Sequence, residues 1–217
     1  MEPGLPTLKM QRSLVSNMAE TAQPLSQSFK NTANLKKHAA IYGAAAVASL
    51  TLFGAAHTWA VSSGWSLALG TGVAAAFIAG MVLSSIFHEW GHYAGAALSG
   101  STIKIADQPS DYYFFLGFNP KKNSKRQALW MTWGGLSGSW LLVIGVLVFV
   151  PMNSWISAVL LATAVGRAVN ASYFEVPIAL RTLKGHDFKQ ALNERLQSPG
   201  TVNTPGLIVG LALLLIT

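Results

Sequence analysis

Four long apolar segments constrain the fold of this chain more than any other feature of its sequence. They run approximately over residues 38–61, 65–98, 128–150 and 154–180. A helix of about 20 residues crosses a hydrocarbon core about 30 Å thick, so each segment is long enough to span a membrane. Hydrophobic residues make up 51% of the chain and charged residues 11%, whereas about a quarter of the residues in soluble proteins are charged. The sequence therefore predicts an all-α polytopic membrane protein.

The two ends of the chain differ from these segments. Residues 205–217 are apolar but short, because a helix of that length reaches only about 20 Å, so we predict four to five transmembrane helices. Residues 1–37 are polar, contain three prolines and lack the basic stretch, apolar core and cleavage site of a signal peptide. We interpret them as a cytosolic tail, partly helical or disordered, ahead of a transmembrane domain over residues 38–217.

Positive charges alternate between the connections of the apolar segments. The tail, the 99–128 loop and the 181–200 loop are basic, whereas residues 62–64 and 151–153 carry no charge. Because cytoplasmic loops carry an excess of Lys and Arg, this pattern predicts a cytosolic amino terminus, and we expect a bacterial inner membrane. The net charge of +7 is dispersed among loops beside the lipid bilayer, which argues against a nucleic-acid partner.

The second apolar segment contains three ionisable residues within five positions, His88-Glu89-Trp90-Gly91-His92. On a helix, positions i and i+4 are offset by about 40°, so His88 and His92 lie on one face and can share a metal ion. Glu89 lies beside that face, where a carboxylate can take a proton from a water on the metal. Each ionisable group costs about 2–3 kcal/mol or more at mid-bilayer unless it is paired or functional. We therefore favour a metal site over a cluster of hydrogen bonds that only packs helices.

Such a site needs a third ligand from elsewhere in the chain. The sequence has no cysteine, and two histidines with a water leave a tetrahedral zinc ion one protein ligand short. We predict Asp187 as that ligand, because it follows the fourth segment on the side where the histidines are expected. Glu175 is the alternative acidic ligand, although it could instead form an ion pair with Arg167. His186 is a nitrogen alternative, and Glu194 is the remaining acidic residue beyond the third segment.

The 99–128 loop contains two short stretches that favour β-structure, residues 101–105 and 111–118, with turn-forming residues at 108–110 between them. This pattern predicts a small membrane-associated β-hairpin. Its aromatic residues could serve only as an interfacial belt. Alternatively, an exposed strand edge could pair with an extended segment of a substrate and hold an unwound helix open for attack.

Four short segments follow one another in an order that is typical of one protein family: residues 88–92, 114–121, 134–140 and 170–187. The first resembles the HExGH helix of the site-2 protease family of intramembrane zinc metalloproteases, and the second resembles that family's Phe-Ser-Ile-Gly-Phe-Gly-Pro-Lys segment. The third is similar to its Ala-Gly-Pro-Leu-Ala-Asn motif, with Ser139 where asparagine is usual. The fourth takes the place of its Asn-x-x-Pro…Leu-Asp-Gly element but lacks Leu-Asp-Gly.

The resemblance implies a function as well as a fold. It implies that His88 and His92 bind Zn²⁺ and that Glu89 acts as general base and then as general acid. Asn170 is a candidate for stabilising the oxyanion, and a hydrogen bond between helices is its alternative role. The expected activity is that of a zinc endopeptidase that cleaves transmembrane segments of membrane proteins near the cytosolic face.

Two other classes of function compete with this one. A non-proteolytic membrane scaffold or assembly factor could retain the same fold and perhaps the metal. A small-molecule transporter is less favoured, because the chain lacks the paired, interrupted helices that are expected of inverted repeats.

Overall fold

The computed structural model describes residues 8–108, 115–197 and 204–216, with side chains from Asn31 onward. The long helices in these ranges are α1 (Leu8–Ser63), α2 (Ser66–Leu98), α3 (Lys125–Phe149) and α4 (Trp155–Leu183). The shorter helices are α5 (Phe188–Leu196) and α6 (Thr204–Ile216). Strands β1 (Ile103–Ile105) and β2 (Leu116–Phe118) lie between α2 and α3 in the chain.

The four long helices each contain a stretch that is long and apolar enough to cross a membrane. These stretches are Asn31–Ser63, Ser66–Leu98, Lys125–Phe149 and Trp155–Leu183, and the apolar helix α6 is shorter. Large apolar side chains such as Leu67, Leu141 and Val148 are exposed on these helices, where lipid chains would surround them. The predicted fold class, an all-α polytopic membrane protein, is confirmed.

Two helical stretches lie outside the predicted apolar segments, because helix formation does not depend on hydrophobicity alone. Helix α1 begins at Leu8, inside the tail that the sequence predicts to be partly helical or disordered. Leu, Lys, Gln and Ala are common in that segment and are good helix formers. Helix α5 lies within residues 181–200, which the sequence assigns to a loop, and the Asp187 side chain caps its first turn.

Small residues let α2 and α3 approach until their backbones touch. A methyl group on Gly95 would meet the main-chain carbonyl of Trp130, and one on Gly138 would meet that of Phe87. A core of buried alanine, leucine and isoleucine side chains continues this packing between α2 and α4. Helices in membranes associate largely through such close contacts. The packing sets the distance between α2 and α3 at the level of the two histidines.

The two strands form the predicted β-hairpin. Strand β1 pairs antiparallel with β2, with Ile103 opposite Phe118. Residues 109–114, which cover most of the predicted turn and the start of the second predicted strand, lie outside the described residues. Phe115, immediately before β2, is buried and packs against the ring of Tyr42 from α1. The hairpin is therefore anchored to the helices by aromatic contacts.

Candidate metal centre

Three ligand-type side chains from two helices converge at one point inside the helix bundle. His88 and His92 come from α2, and Glu175 comes from α4. The Nε2 atoms of the two histidines are 3.0 Å apart. The Glu175 Oε1 atom lies 3.1 Å from Nε2 of His88 and 3.0 Å from Nε2 of His92. The helical spacing of the histidines thus places both rings on one face, as the sequence predicts.

The arrangement of these donor atoms fits a zinc ion. Nitrogen and oxygen ligands about 2.0–2.2 Å from a tetrahedral ion lie roughly 3.3 Å from one another. The three observed separations, 3.0–3.1 Å, are close to that value. Two histidines and one carboxylate are a ligand set known from catalytic zinc sites that keep their fourth position open. The residues present could therefore hold the metal that the sequence predicts.

Hydrogen bonds from α3 orient both imidazole rings. The Nδ1 atom of His92 lies 2.9 Å from the main-chain oxygen of Met131, which can only accept, so Nδ1 carries the proton. The Nδ1 atom of His88 lies 3.0 Å from Oγ of Ser139, and that hydroxyl donates to the main-chain oxygen of Gly135 at 3.2 Å. Each ring in its neutral form therefore directs the lone pair of Nε2 at the Glu175 carboxylate. A proton on one Nε2 atom or a metal ion between the three groups would satisfy these facing acceptors.

The position of the His92 ring depends on a glycine of α3. A Cβ atom at Gly135 would overlap that ring. The absence of a side chain at this position leaves room for the ring beside α3, within reach of the Met131 carbonyl. The adjacent glycines at 134 and 135 are the only signal in the sequence for this contact.

Glu89 lies beside the three ligand-type residues and is buried, with 3% of its surface exposed. It lines the same cavity as His88, His92 and Glu175, which has a volume of about 810 Å³. Helices α2, α3, α4 and α5 and strand β2 form the cavity wall. A cavity of this size is large enough to receive part of a peptide chain beside a bound metal.

The structure corrects the predicted third ligand. Asp187 is exposed, and its carboxylate accepts a hydrogen bond of 3.0 Å from the backbone N–H of Gln190 at the start of α5. The prediction assumed a loop that folds back after the fourth segment, but α4 continues to Leu183 and a new helix follows. Glu175, the alternative ligand, lies with the histidines because α4 packs directly on α2.

His186 and Glu194, the other candidate ligands, also lie away from the two histidines. His186 is exposed, and its Nδ1 atom lies 3.2 Å from the main-chain oxygen of Arg181. Glu194 is exposed and forms an ion pair with the Arg181 guanidinium. Both therefore belong to the polar surface near α5.

Asn170 does not line the cavity in the described part of the chain. Its side-chain oxygen accepts a hydrogen bond of 2.7 Å from the backbone N–H of Gly206. It thereby satisfies one of the free N–H groups in the first turn of α6. The structure corrects the assignment of Asn170 as an oxyanion ligand in favour of its alternative role, a hydrogen bond between helices.

Sequence reasoning missed the residues that orient the histidines. In the sequence, Ser139 is notable only because the site-2 protease family, which the chain resembles, usually has asparagine there. Met131 acts through its main-chain oxygen, which the residue type does not indicate. No family model matches this chain, and neither a curated protein nor a solved structure is significantly similar to it.

Proposed function

We propose that the protein is a zinc metalloendopeptidase that cleaves transmembrane segments of other membrane proteins. The observation that carries the proposal is the convergence of His88, His92 and Glu175 within 4.8 Å of one another, with Glu89 beside them in one cavity. All four residues lie on helices that are apolar enough to span a membrane. Ionisable groups in such helices are expensive unless they pair or serve a function.

The chemistry follows from the roles that these side chains can take. Zinc bound by His88, His92 and Glu175 would supply an activated water and a Lewis acid for a peptide carbonyl. The Glu89 carboxylate would accept the proton of the attacking water and then donate it to the nitrogen of the leaving amine. The hydrogen bonds of Ser139 and Met131 would keep the two rings in the required tautomer throughout the reaction.

The walls of the cavity suit an apolar, extended substrate. Apolar side chains of α4 and α5, among them Phe174, Ile178 and Leu192, line it. Leu116 and Phe118 of β2 line it as well, and among the described residues β2 pairs with β1 alone. An unwound transmembrane segment could add to the open edge of β2 and be held with its peptide bonds accessible.

The proposed setting is a bacterial inner membrane with the amino terminus in the cytosol. Lys104 lies in the hairpin that follows α2, and lysines at 121, 122 and 125 come directly after it, as expected for a cytosolic connection. The histidines lie in the half of α2 that leads into this connection. Cleavage would then occur near the cytosolic face.

Metal analysis combined with cleavage assays tests the proposal. We expect the purified wild-type protein to bind one zinc ion per chain, and the variants His88→Ala, His92→Ala and Glu175→Ala to lose it. Glu89→Gln should keep zinc and lose at least about 100-fold in cleavage rate, because only the proton-transfer group is removed. Suitable probes are single-span model proteins in liposomes whose helices carry an Asn-Pro pair near the cytosolic end.

Asp187→Ala provides the matched control for the metal ligands, because Asp187 is an acidic residue outside the centre. This variant should retain zinc and cleavage. Undiminished cleavage by Glu89→Gln would contradict the proposed mechanism. Zinc binding without cleavage of any probe by the wild-type protein would favour the scaffold function instead.

A further inference from the structure

The middle of α1 contacts the hairpin through a stripe of polar side chains. We define this polar stripe as Asn31, Asn34, Lys37 and His38, each of which bonds to a residue of β1 or of the two positions after it. Residues three to four positions apart share one face of a helix, so the whole stripe faces the hairpin. The sequence alone assigns most of these residues to a cytosolic tail with no part in the site.

Asn31 binds β1 as a neighbouring strand would. Its side-chain nitrogen donates to the main-chain oxygen of Ile103 at 3.0 Å, and its side-chain oxygen accepts from the backbone N–H of Ile105 at 3.1 Å. One residue of a parallel strand would use the same oxygen and the same N–H, which flank a single position of its partner. The Asn31 amide therefore occupies a place where another chain could pair.

The rest of the stripe bonds to carbonyl groups at the end of β1 and in the two residues that follow it. Asn34 donates to the main-chain oxygen of Ile105 at 3.1 Å. The Nε2 atom of His38, which is fully buried, lies 2.8 Å from the main-chain oxygen of Ala106. Lys37 continues the row with a hydrogen bond of 3.0 Å to the main-chain oxygen of Asp107. Unpaired strand edges attract other chains, and side chains that cover them prevent this.

We propose that the polar stripe closes the outer edge of β1, so that an extended substrate can add only to β2, the strand that lines the metal cavity. Asn31 is then a positioning residue that selects the strand edge. The inference rests on the proposed function, because it assumes that a substrate segment pairs with the hairpin. A segment on the outer edge of β1 would lie three strand spacings, roughly 14 Å, from a segment on the edge of β2, and would not reach the metal.

Single-cysteine cross-linking distinguishes the two edges, because the chain has no cysteine of its own. Ile103→Cys and Phe118→Cys form a matched pair, since the two residues lie opposite each other in the hairpin and are both half-buried. Each is combined with Glu89→Gln and a single-span model protein that carries one cysteine near its Asn-Pro pair. We expect a disulfide cross-link at position 118 and not at position 103. Adding Asn31→Ala should produce the cross-link at position 103.

Hydrogen exchange measures closure of the edge without any substrate. In Asn31→Ala the amide of Ile105 should exchange roughly tenfold faster, because its acceptor is lost. Asn31→Asp keeps that acceptor and loses only the donor to Ile103, so the Ile105 amide should stay protected. Lys36→Ala, at an exposed position of α1 between Asn34 and Lys37, should change neither exchange nor cross-linking.

The possible outcomes separate this inference from the proposed function. Cross-linking at position 103 with Asn31 intact, or an unchanged pattern in Asn31→Ala, would overturn the role of the stripe even if the protein cleaves its probes. Absence of zinc and of cleavage in the wild-type protein would instead overturn the proposed function. Faster exchange at Ile105 in Asn31→Ala would still support closure of the β1 edge in that case.

Discussion

At the scale of single residues, the candidate metal centre depends on groups outside the three ligand-type side chains. The Ser139 hydroxyl and the Met131 carbonyl hold the Nδ1 atoms of His88 and His92, which leaves both Nε2 atoms directed at Glu175. Partners of this kind fix the tautomer and the ring orientation of ligating histidines. Substitution of Ser139, which is not itself a ligand, should therefore change the affinity for a metal measurably.

We expect Ser139→Ala to weaken zinc binding by about 10–100-fold, because the His88 ring loses the partner that orients it. Competition with a chelator of known affinity measures this effect on the purified protein. Ser85→Ala is the control, since the Ser85 hydroxyl bonds only to the main-chain oxygen of Met81 in its own helix among the described contacts. Equal zinc affinities for the two variants would show that Ser139 does not orient the ligand.

At the scale of the elements, a proline in α4 explains how α5 is attached beside the site. Pro177 has no N–H to donate to the main-chain oxygen of Tyr173, four residues earlier. The Arg195 guanidinium from α5 donates to that oxygen at 2.9 Å and lies 4.4 Å from the centre of the Tyr173 ring. The proline thus creates an acceptor that binds α5, and α5 forms one wall of the metal cavity.

This explanation predicts coupling between Pro177 and Arg195. Arg195→Ala should lower the free energy of unfolding by about 1 kcal/mol, because the Tyr173 oxygen loses its donor. In a Pro177→Ala background the helix can supply its own N–H, so the same substitution should cost less. Reversible unfolding in detergent, measured for all four members of the double-mutant cycle, gives the coupling energy. Identical costs in the two backgrounds would mean that Arg195 acts independently of the proline.

At the scale of the whole molecule, the depth of the site follows from the arrangement of the spans. His92 lies about two helical turns before the end of α2 at Leu98, and the basic hairpin connection follows. The connection between α3 and α4 is uncharged. If the basic connections are cytosolic, the candidate metal centre lies near that face.

Cysteine labelling tests this orientation. Lys122→Cys, in the connection before α3, and Asn153→Cys, in the connection before α4, are both at exposed positions. An impermeant maleimide should label Asn153→Cys from outside intact spheroplasts and Lys122→Cys only in inverted vesicles, because positively charged loops remain in the cytosol. The reverse pattern would move the proposed cleavage to the opposite face.

The properties that the sequence determines alone are those that depend on neighbouring residues. The apolar stretches define four spans because length and hydrophobicity are local, and the spacing of His88 and His92 places both rings on one helix face. The β-hairpin follows in the same way from two β-favouring stretches and the turn between them. These predictions do not require knowledge of which helices touch.

The tertiary structure alone decides which distant groups complete the site. Glu175 rather than Asp187 joins the histidines because α4 packs against α2, where Gly80 of α2 leaves room for the Thr163 side chain of α4. Ser139, Asn170 and Asn31 acquire their partners in the same way, from helices or strands far along the chain. Their sequence neighbourhoods cannot indicate these roles, because each hydrogen bond depends on the relative position of two separately formed elements.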